Sequence, residues 1–304
     1  MELAVIGLGR MGANVARRLM RGGHRVVAFD IDRAKVETLV AEGATGAASI
    51  EDALSRLHVP RAVWVMVPAG DTTRQVLVEL RTRLQPGDIV IDGGNSDWRE
   101  DSDRAAIFAA TGVSYLDVGV AGGLHGLTDG WCLMIGGEKA AVDHMKNLFD
   151  DLAAPQGLAH LGPAGAGHYA KMVHNAIEYG MMESLAEGFE LLRGAPQRLD
   201  VTQVASLWRH GSVVRSWLLD LTHTTLKRDA KLEGAAVQIA DSGEGRWAVE
   251  TAIAQESPCT VLAASLFARF RSRQENSYAM KLQAALRREF TGLGTAPKPP
   301  GPSA

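Results

Sequence analysis

Four side chains between positions 165 and 180 could move protons. Lys171, His174, Asn175 and Glu178 recur at helical spacing in the run Lys171-Met172-Val173-His174-Asn175-Ala176-Ile177-Glu178. At about 100° per residue they fall within an arc of about 100° on one helix face. An amine, an imidazole, an amide and a carboxylate in one stripe are groups that accept, relay and return a proton. A polar stripe is ordinarily the solvent side of a helix. Two features point to a cleft instead. The remaining faces carry Met172, Val173, Ala176, Ile177 and Met181, and the stripe does not repeat Lys and Glu as a solvated face would.

A second pattern lies near the N-terminus. Gly7-Leu8-Gly9-Arg10-Met11-Gly12 is a GxGxxG turn that follows a short apolar run and opens a helical one, the context a dinucleotide site requires. Gly9 would let a pyrophosphate approach the backbone, and the helix start would offer free N–H groups and partial positive charge. Asp30 ends the next apolar run, 18 residues after Gly12, where a carboxylate accepts from ribose hydroxyls and repels a 2′-phosphate. Asp32 fits better as the cap of the following helix. The pattern favours NAD over NADP, although Arg33 stands near enough to accommodate a 2′-phosphate. Val67-Pro68-Ala69-Gly70 follows a later strand-like run, either as a further cofactor contact or as a plain turn.

These residues need elements to hold them. Leu3–Ile6, Arg25–Phe29, Ala62–Val67, Asp88–Ile91 and Tyr115–Val118 read as buried strands, with Trp131–Ile135 as a further candidate for the sheet. Asn14–Arg21, Arg33–Glu42, Thr72–Leu84 and Arg99–Ala110 read as helices between them. That alternation predicts an α/β Rossmann-type doubly wound, mostly parallel sheet. Beyond Gly162, Pro163, Gly165 and Gly167 the texture becomes helical, from Gly167–Leu192 up to Phe290. The expected division is a dinucleotide-binding domain over residues 1–165 and an all-α substrate and dimerisation domain over 166–290. A flexible tail is expected over 291–304.

Composition narrows the function. A chain of 304 residues exceeds the roughly 250–300 residues that one core readily serves, so two domains are expected. With 32 basic and 35 acidic residues, it lacks the basic excess of a nucleic-acid or acidic-membrane binder. No apolar run approaches membrane-spanning length, and no export signal is visible. Cys132 and Cys259 are far apart and read as two buried structural thiols of a cytoplasmic protein. There is no clustered metal-ligand motif, and none is expected to be needed.

The run Gly165-Ala166-Gly167-His168 into Lys171–Glu178, with Ile91-Asp92-Gly93-Gly94-Asn95-Ser96 upstream, resembles decarboxylating 6-phosphogluconate dehydrogenases of the β-hydroxyacid dehydrogenase superfamily. The resemblance covers nearly the whole chain, and the length fits the short bacterial branch. It implies that Lys171 is the base for the substrate 3-hydroxyl and Glu178 the acid that protonates the enediol carbon. It implies that Asn95 contacts both substrate and nicotinamide, and that His174, Asn175 and Tyr179 contact substrate. By the same resemblance Arg269 holds a 6-phosphate, and Arg287 reaches the neighbouring subunit's site, so a homodimer or homotetramer is implied.

Three positions depart from the family pattern. Its Ser-Gly-Gly is here Ala121-Gly122-Gly123, which removes a hydrogen bond worth about 0.5–1.5 kcal/mol. A phosphate-contacting Lys of long members aligns with Ser242, and a tail His with Leu293. These losses keep two rival readings open: a dehydrogenase for an unphosphorylated acid such as 3-hydroxyisobutyrate or gluconate, and a non-catalytic dinucleotide-binding sensor. The first reading expected from the motifs is NAD-linked oxidative decarboxylation of 6-phosphogluconate.

Overall fold

The computed structural model describes residues 1–292; of the tail expected over 291–304, Thr291 instead closes the last helix, and Leu293 and the residues after it lie outside the described residues. Eight strands form one sheet: β1 (Glu2–Ile6), β2 (Arg25–Phe29), β3 (Thr45–Gly46), β4 (Ala62–Val65), β5 (Ile89–Asp92), β6 (Ser114–Ala121), β7 (Trp131–Gly137) and β8 (Ala153–Gly162). Their order is β3-β2-β1-β4-β5-β6-β7-β8. Every neighbouring pair is parallel except β6 with β7.

Strict alternation along β1 explains why the sheet is covered on both faces. Leu3 and Val5 join a core with Val15 and Leu19 of α1 (Arg10–Arg21) and with Leu148, Phe149 and Leu152 near β8. Ala4 and Ile6 point the other way, towards Ile50, Leu54, Leu77, Leu80 and Phe108. Each such Val, Leu, Ile or Phe side chain contributes about 1.5–3 kcal/mol when fully buried. The other helices between the strands are α2 (Arg33–Ala41), α3 (Ile50–Ser55), α4 (Asp71–Arg83), α5 (Asp101–Ala109), α6 (Gly126–Asp129), α7 (Lys139–His144) and α8 (Lys146–Leu152). Asp32 caps α2 by accepting from the Ala34 N–H, as expected.

The long helix α9 (Ala166–Arg193) follows, then α10 (Val201–Trp208), α11 (Trp217–Arg228), α12 (Glu244–Ala254), α13 (Thr260–Ser272) and α14 (Tyr278–Thr291). Among the described residues no strand occurs after β8. Contacts divide the chain into one unit of Met1–Glu178 with Gly243–Cys259 and a second of Tyr179–Ser242 with the described residues from Thr260 onward. The division by contacts therefore falls inside α9, and α12 joins the sheet's unit although it comes late in the chain.

Two expectations are corrected. The strands β3 and β8 were not foreseen, because β3 has two residues and β8 carries Pro155 and Gly157 with no β-branched side chain. A sheet edge tolerates such residues, since one side of the strand needs no ladder partner. The cysteines are not buried: Cys132 is exposed on β7 and Cys259 is intermediate, and both are free thiols.

Candidate active site

Strands β1, β4, β5 and β6 run parallel, so the loops after them leave the same edge of the sheet. Those loops carry Gly7–Gly12, Val67–Gly70, Asn95 and Ala121–Gly123. The order β2-β1-β4 reverses the winding there, and ligands of doubly wound sheets bind in the crevice at such a point.

The glycine turn fits a dinucleotide for stated reasons. A Cβ on Gly12 would lie 1.9 Å from the Gly7 carbonyl oxygen, so only glycine permits this packing of α1 against the turn. A Cβ on Gly9 would meet nothing within 4 Å, leaving the start of α1 open to a pyrophosphate. No side chain caps that helix start, so its backbone N–H groups remain available. Arg10 and Met11 occupy the first turn of α1. Asp30 accepts from the Leu8 N–H at 2.7 Å and the Asp32 N–H at 2.8 Å, with Lys35 Nζ at 3.4 Å. Burial pushes the Asp30 carboxyl up, but the Asp32 and Leu8 N–H groups and the Lys35 ammonium outweigh it and hold it below the usual carboxylate range. The residue stays anionic, the charge that disfavours a 2′-phosphate. Arg33 is drawn to Glu37 at 3.0 Å. Around the same edge, the Pro68 carbonyl accepts from Thr73, and Asn95 stands exposed between buried Gly94 and Ser96.

The helix α9 lies against β6 through glycine. A Cβ on Gly167 would come within 2.4 Å of the Met134 carbonyl oxygen, and one on Gly119 would lie 2.4 Å from Lys171 Cβ. Lys171 is consequently 7% exposed. Burial pushes its ammonium down; the charges of Glu178 and Glu244, and more weakly Cys132, oppose that shift. Asn175 is buried one turn further on, and its Nδ2 donates to Glu244 Oε1 at 2.8 Å. His174 Nδ1 lies 3.0 Å from Asn175 Oδ1 and 4.0 Å from Glu178 Oε2. The stripe thus passes from buried Lys171 and Asn175 to half-exposed His174 and Glu178, whose side chains are 46% and 41% exposed. The apolar faces are less covered than expected, for Ile177 and Met181 are exposed.

A buried polar network fixes the start of α9. Asp117, a lone acid in the apolar strand β6, accepts from the Gly165 and His168 N–H groups, each at 2.8 Å. His168 Nδ1 is 2.7 Å from Asp101, which also accepts from Tyr115 at 2.7 Å. Arg104 donates to both Asp92 and Asp101, and Asp92 in turn accepts from Gly94 and Ser96 beside Asn95. Burial alone would lower the His168 ring, but Asp101 above all, with Asp92 and Asp117, pushes it up to about 9. The donors of Asp92, Asp101 and His168 lie within 4.8 Å of one another, as metal ligands would. Arg104 already supplies the positive charge between the two carboxylates, and a protonated His168 has no lone pair to offer. Sequence reasoning passed over this network, although an Asp inside an otherwise buried strand is a signal that partners exist.

In the second unit Tyr179, Ser242 and Arg269 come together. The Arg269 guanidinium lies 3.4 Å from the Tyr179 ring centroid and donates to the Ala240 carbonyl at 2.9 Å. Tyr179 Oη is 3.4 Å from Ser242 Oγ. Arg287 stands exposed on α14 and is not part of this cluster.

Comparison with known proteins follows the two halves of the chain. Residues 2–165 match the family described as the NAD binding domain of 6-phosphogluconate dehydrogenase, and residues 167–292 match that described as the 6-phosphogluconate dehydrogenase C-terminal domain. The Bacillus subtilis protein YqeC, provisionally named a 6-phosphogluconate dehydrogenase, is 42% identical over 298 residues, covering 98% of this chain and all of that one. An NAD-dependent, decarboxylating 6-phosphogluconate dehydrogenase of Haloferax volcanii is 41% identical, covering 95% and 97%. Among solved structures, 6-phosphogluconate dehydrogenase of Plasmodium falciparum superposes with a TM-score of 0.83 at 26% identity, over 99% of this chain and 67% of that one. A Mycobacterium tuberculosis 3-hydroxyisobutyrate dehydrogenase shares the fold, with a TM-score of 0.74 at 20% identity, over 94% and 99%.

Proposed function

This chain belongs to the 6-phosphogluconate dehydrogenase family, and on that premise we propose that it oxidises and decarboxylates 6-phosphogluconate to ribulose 5-phosphate and carbon dioxide with NAD. The observation that carries this reading is the buried Lys171, held against Gly119 with its basicity lowered, on the same helix face as Glu178.

Gly7–Gly12 and Asp30 would hold NAD, which would supply a hydride acceptor. Leu8, Arg10 and Met11 complete that turn, and Val67, Pro68, Ala69 and Asn95 border it. Lys171, whose basicity burial lowers, takes the proton from the 3-hydroxyl as hydride departs. The resulting β-keto acid can release its carboxylate, because the new carbonyl accepts the electron pair. Glu178, half-exposed and able to exchange protons with water, then protonates the enediol carbon. Asn95, Asn175 and His174 orient the sugar acid, with the Ala121-Gly122-Gly123 backbone beside them. Tyr179 and Arg269 bind the phosphate, and Ser242 adds a hydroxyl where long relatives carry a cation. The Arg269 fork suits a phosphate, since a planar guanidinium can pair two oxygens.

We propose further that the protein is a homodimer. Leu286 and Phe290 of α14 are exposed apolar side chains beside Arg287, as they would be on a helix that docks on a second copy. The reaction draws on the cytoplasmic NAD pool, and two free cysteines suit that compartment. No helix among the described residues is long and apolar enough to cross a membrane.

The test is a substrate panel with both cofactors. Expected is absorbance of reduced nicotinamide and release of carbon dioxide with 6-phosphogluconate, faster with NAD than with NADP. Absence of turnover with either cofactor at millimolar substrate overturns the reading. Faster oxidation of gluconate or 3-hydroxyisobutyrate would assign the site to an unphosphorylated acid.

A further inference from the structure

The carboxylate of Glu244 has no role in the mechanism above, yet it is among the most deeply buried acids of the chain, at 1% exposure. It opens α12, where the partial positive charge of the helix start favours an anion. Its Oε1 accepts from Asn175 Nδ2 at 2.8 Å. That bond fixes which end of the Asn175 amide is which. The amide oxygen must face the other way, towards His174 Nδ1 at 3.0 Å, which therefore carries the proton and donates. Nδ2 carries a second hydrogen, the one an anionic substrate group would accept. Glu244, Asn175 and His174 form one chain, and Lys171 lies one helical turn before Asn175 on the same face.

We propose that Glu244 is a positioning residue of the proposed reaction, orienting the Asn175 amide towards substrate and placing a buried negative charge beside the base Lys171. The proposal rests on the 6-phosphogluconate reading for its kinetic part only. The groups that act on Lys171 are Glu178 from its own helix, Glu244 from α12 and Cys132 from β7. Glu244 favours the ammonium, so removing its charge makes Lys171 a weaker base that is free at lower pH.

Glu244→Gln keeps an oxygen to accept from Asn175 and removes the charge; Glu244→Ala removes both. Competitive acetylation of Lys171 with acetic anhydride, read by peptide mass across a pH series, reports the lysine without turnover. In Glu244→Gln the midpoint moves to lower pH, and in the kinetic assay the acidic limb of kcat moves with it while KM for 6-phosphogluconate stays close to wild type. In Glu244→Ala, KM rises about tenfold or more, while NAD affinity measured by calorimetry is unchanged, showing that the sheet's unit is folded. An unmoved acetylation midpoint in Glu244→Gln overturns the charge role, and unchanged KM in Glu244→Ala overturns the orienting role. Failure of the wild-type protein to turn over 6-phosphogluconate counts against the proposed reaction alone, because the acetylation shift is read without it.

Discussion

Lys171 concentrates the physical conflict of the site in one side chain. Burial disfavours its charged form, so the fold gives up stability to hold the proposed base. Lys171→Met fills similar space without a charge. Turnover is expected to fall by about 10²–10⁴-fold, while the melting temperature at neutral pH stays level or rises. Because the folded-state lysine titrates below the unfolded one, the stability gap over wild type is widest at low pH. It closes as pH climbs towards about 10.4, where the unfolded lysine also loses its proton. A calorimetric melt across pH checks both signs, and a destabilised, active variant would contradict them. His168 has the opposite sign. Its ring is raised to about 9 by Asp101, Asp92 and Asp117 against the effect of burial, above about 6.5 in the unfolded chain. Its stabilising contribution is complete below about pH 6.5 and disappears as pH rises through about 9. His168→Gln is expected to cost about 3 kcal/mol at neutral pH and to lose most of that alkaline decline. Thermal unfolding between neutral and alkaline pH measures it; parallel curves for the two proteins would show that His168 is not charged.

At the scale of elements, the functional helix is placed by what lies beneath it. Gly119 of β6 and Gly167 of α9 allow the backbones to approach until Lys171 Cβ occupies the space above Gly119. Gly119→Ala puts a methyl group 2.4 Å from that atom, so α9 must shift. A displacement near 1 Å at the base is enough for about a 10²-fold loss of kcat with every side chain of the stripe intact. Steady-state kinetics with a folded, NAD-binding Gly119→Ala variant tests this, and wild-type kcat would refute it. The same scale shows what the sequence makes legible. Val- and Ile-rich runs announced β1, β2, β4 and β5, because strands buried on both faces have no polar alternation to hide them. The helix that carries Lys171, Asn175 and Glu178 was legible from spacing and composition, and the glycine turn from its context. The antiparallel course of β7 was not, since register depends on the turn that precedes it rather than on the strand's own residues. Nor were the partnerships Asp101–His168, Asp117–His168 and Asn175–Glu244. Their members are 67, 51 and 69 residues apart, so no local pattern in the sequence pairs them.

At the scale of the whole molecule, the question is whether one chain holds a complete set of functional groups. Arg269 is already engaged with Tyr179 and the Ala240 carbonyl, whereas Arg287 projects from α14, a helix with no buried residue. Such a helix cannot draw its stability from an isolated chain's core, and packing of its apolar side chains against a second copy would supply it. The proposed dimer then has each site using Lys171 from one chain and Arg287 from the other. This predicts complementation in mixed samples. Lys171→Met and Arg287→Ala are each expected to be nearly inactive alone. When the two are mixed and allowed to exchange subunits, half of the dimers become mixed ones, and each of these contains one site with both native groups. Activity should recover to about a quarter of wild type, with exchange followed by mass spectrometry of differently tagged chains. Full exchange with no recovery would mean that Arg287 serves its own chain's site or none, and a particle with the mass of one chain in sedimentation would remove the dimer itself.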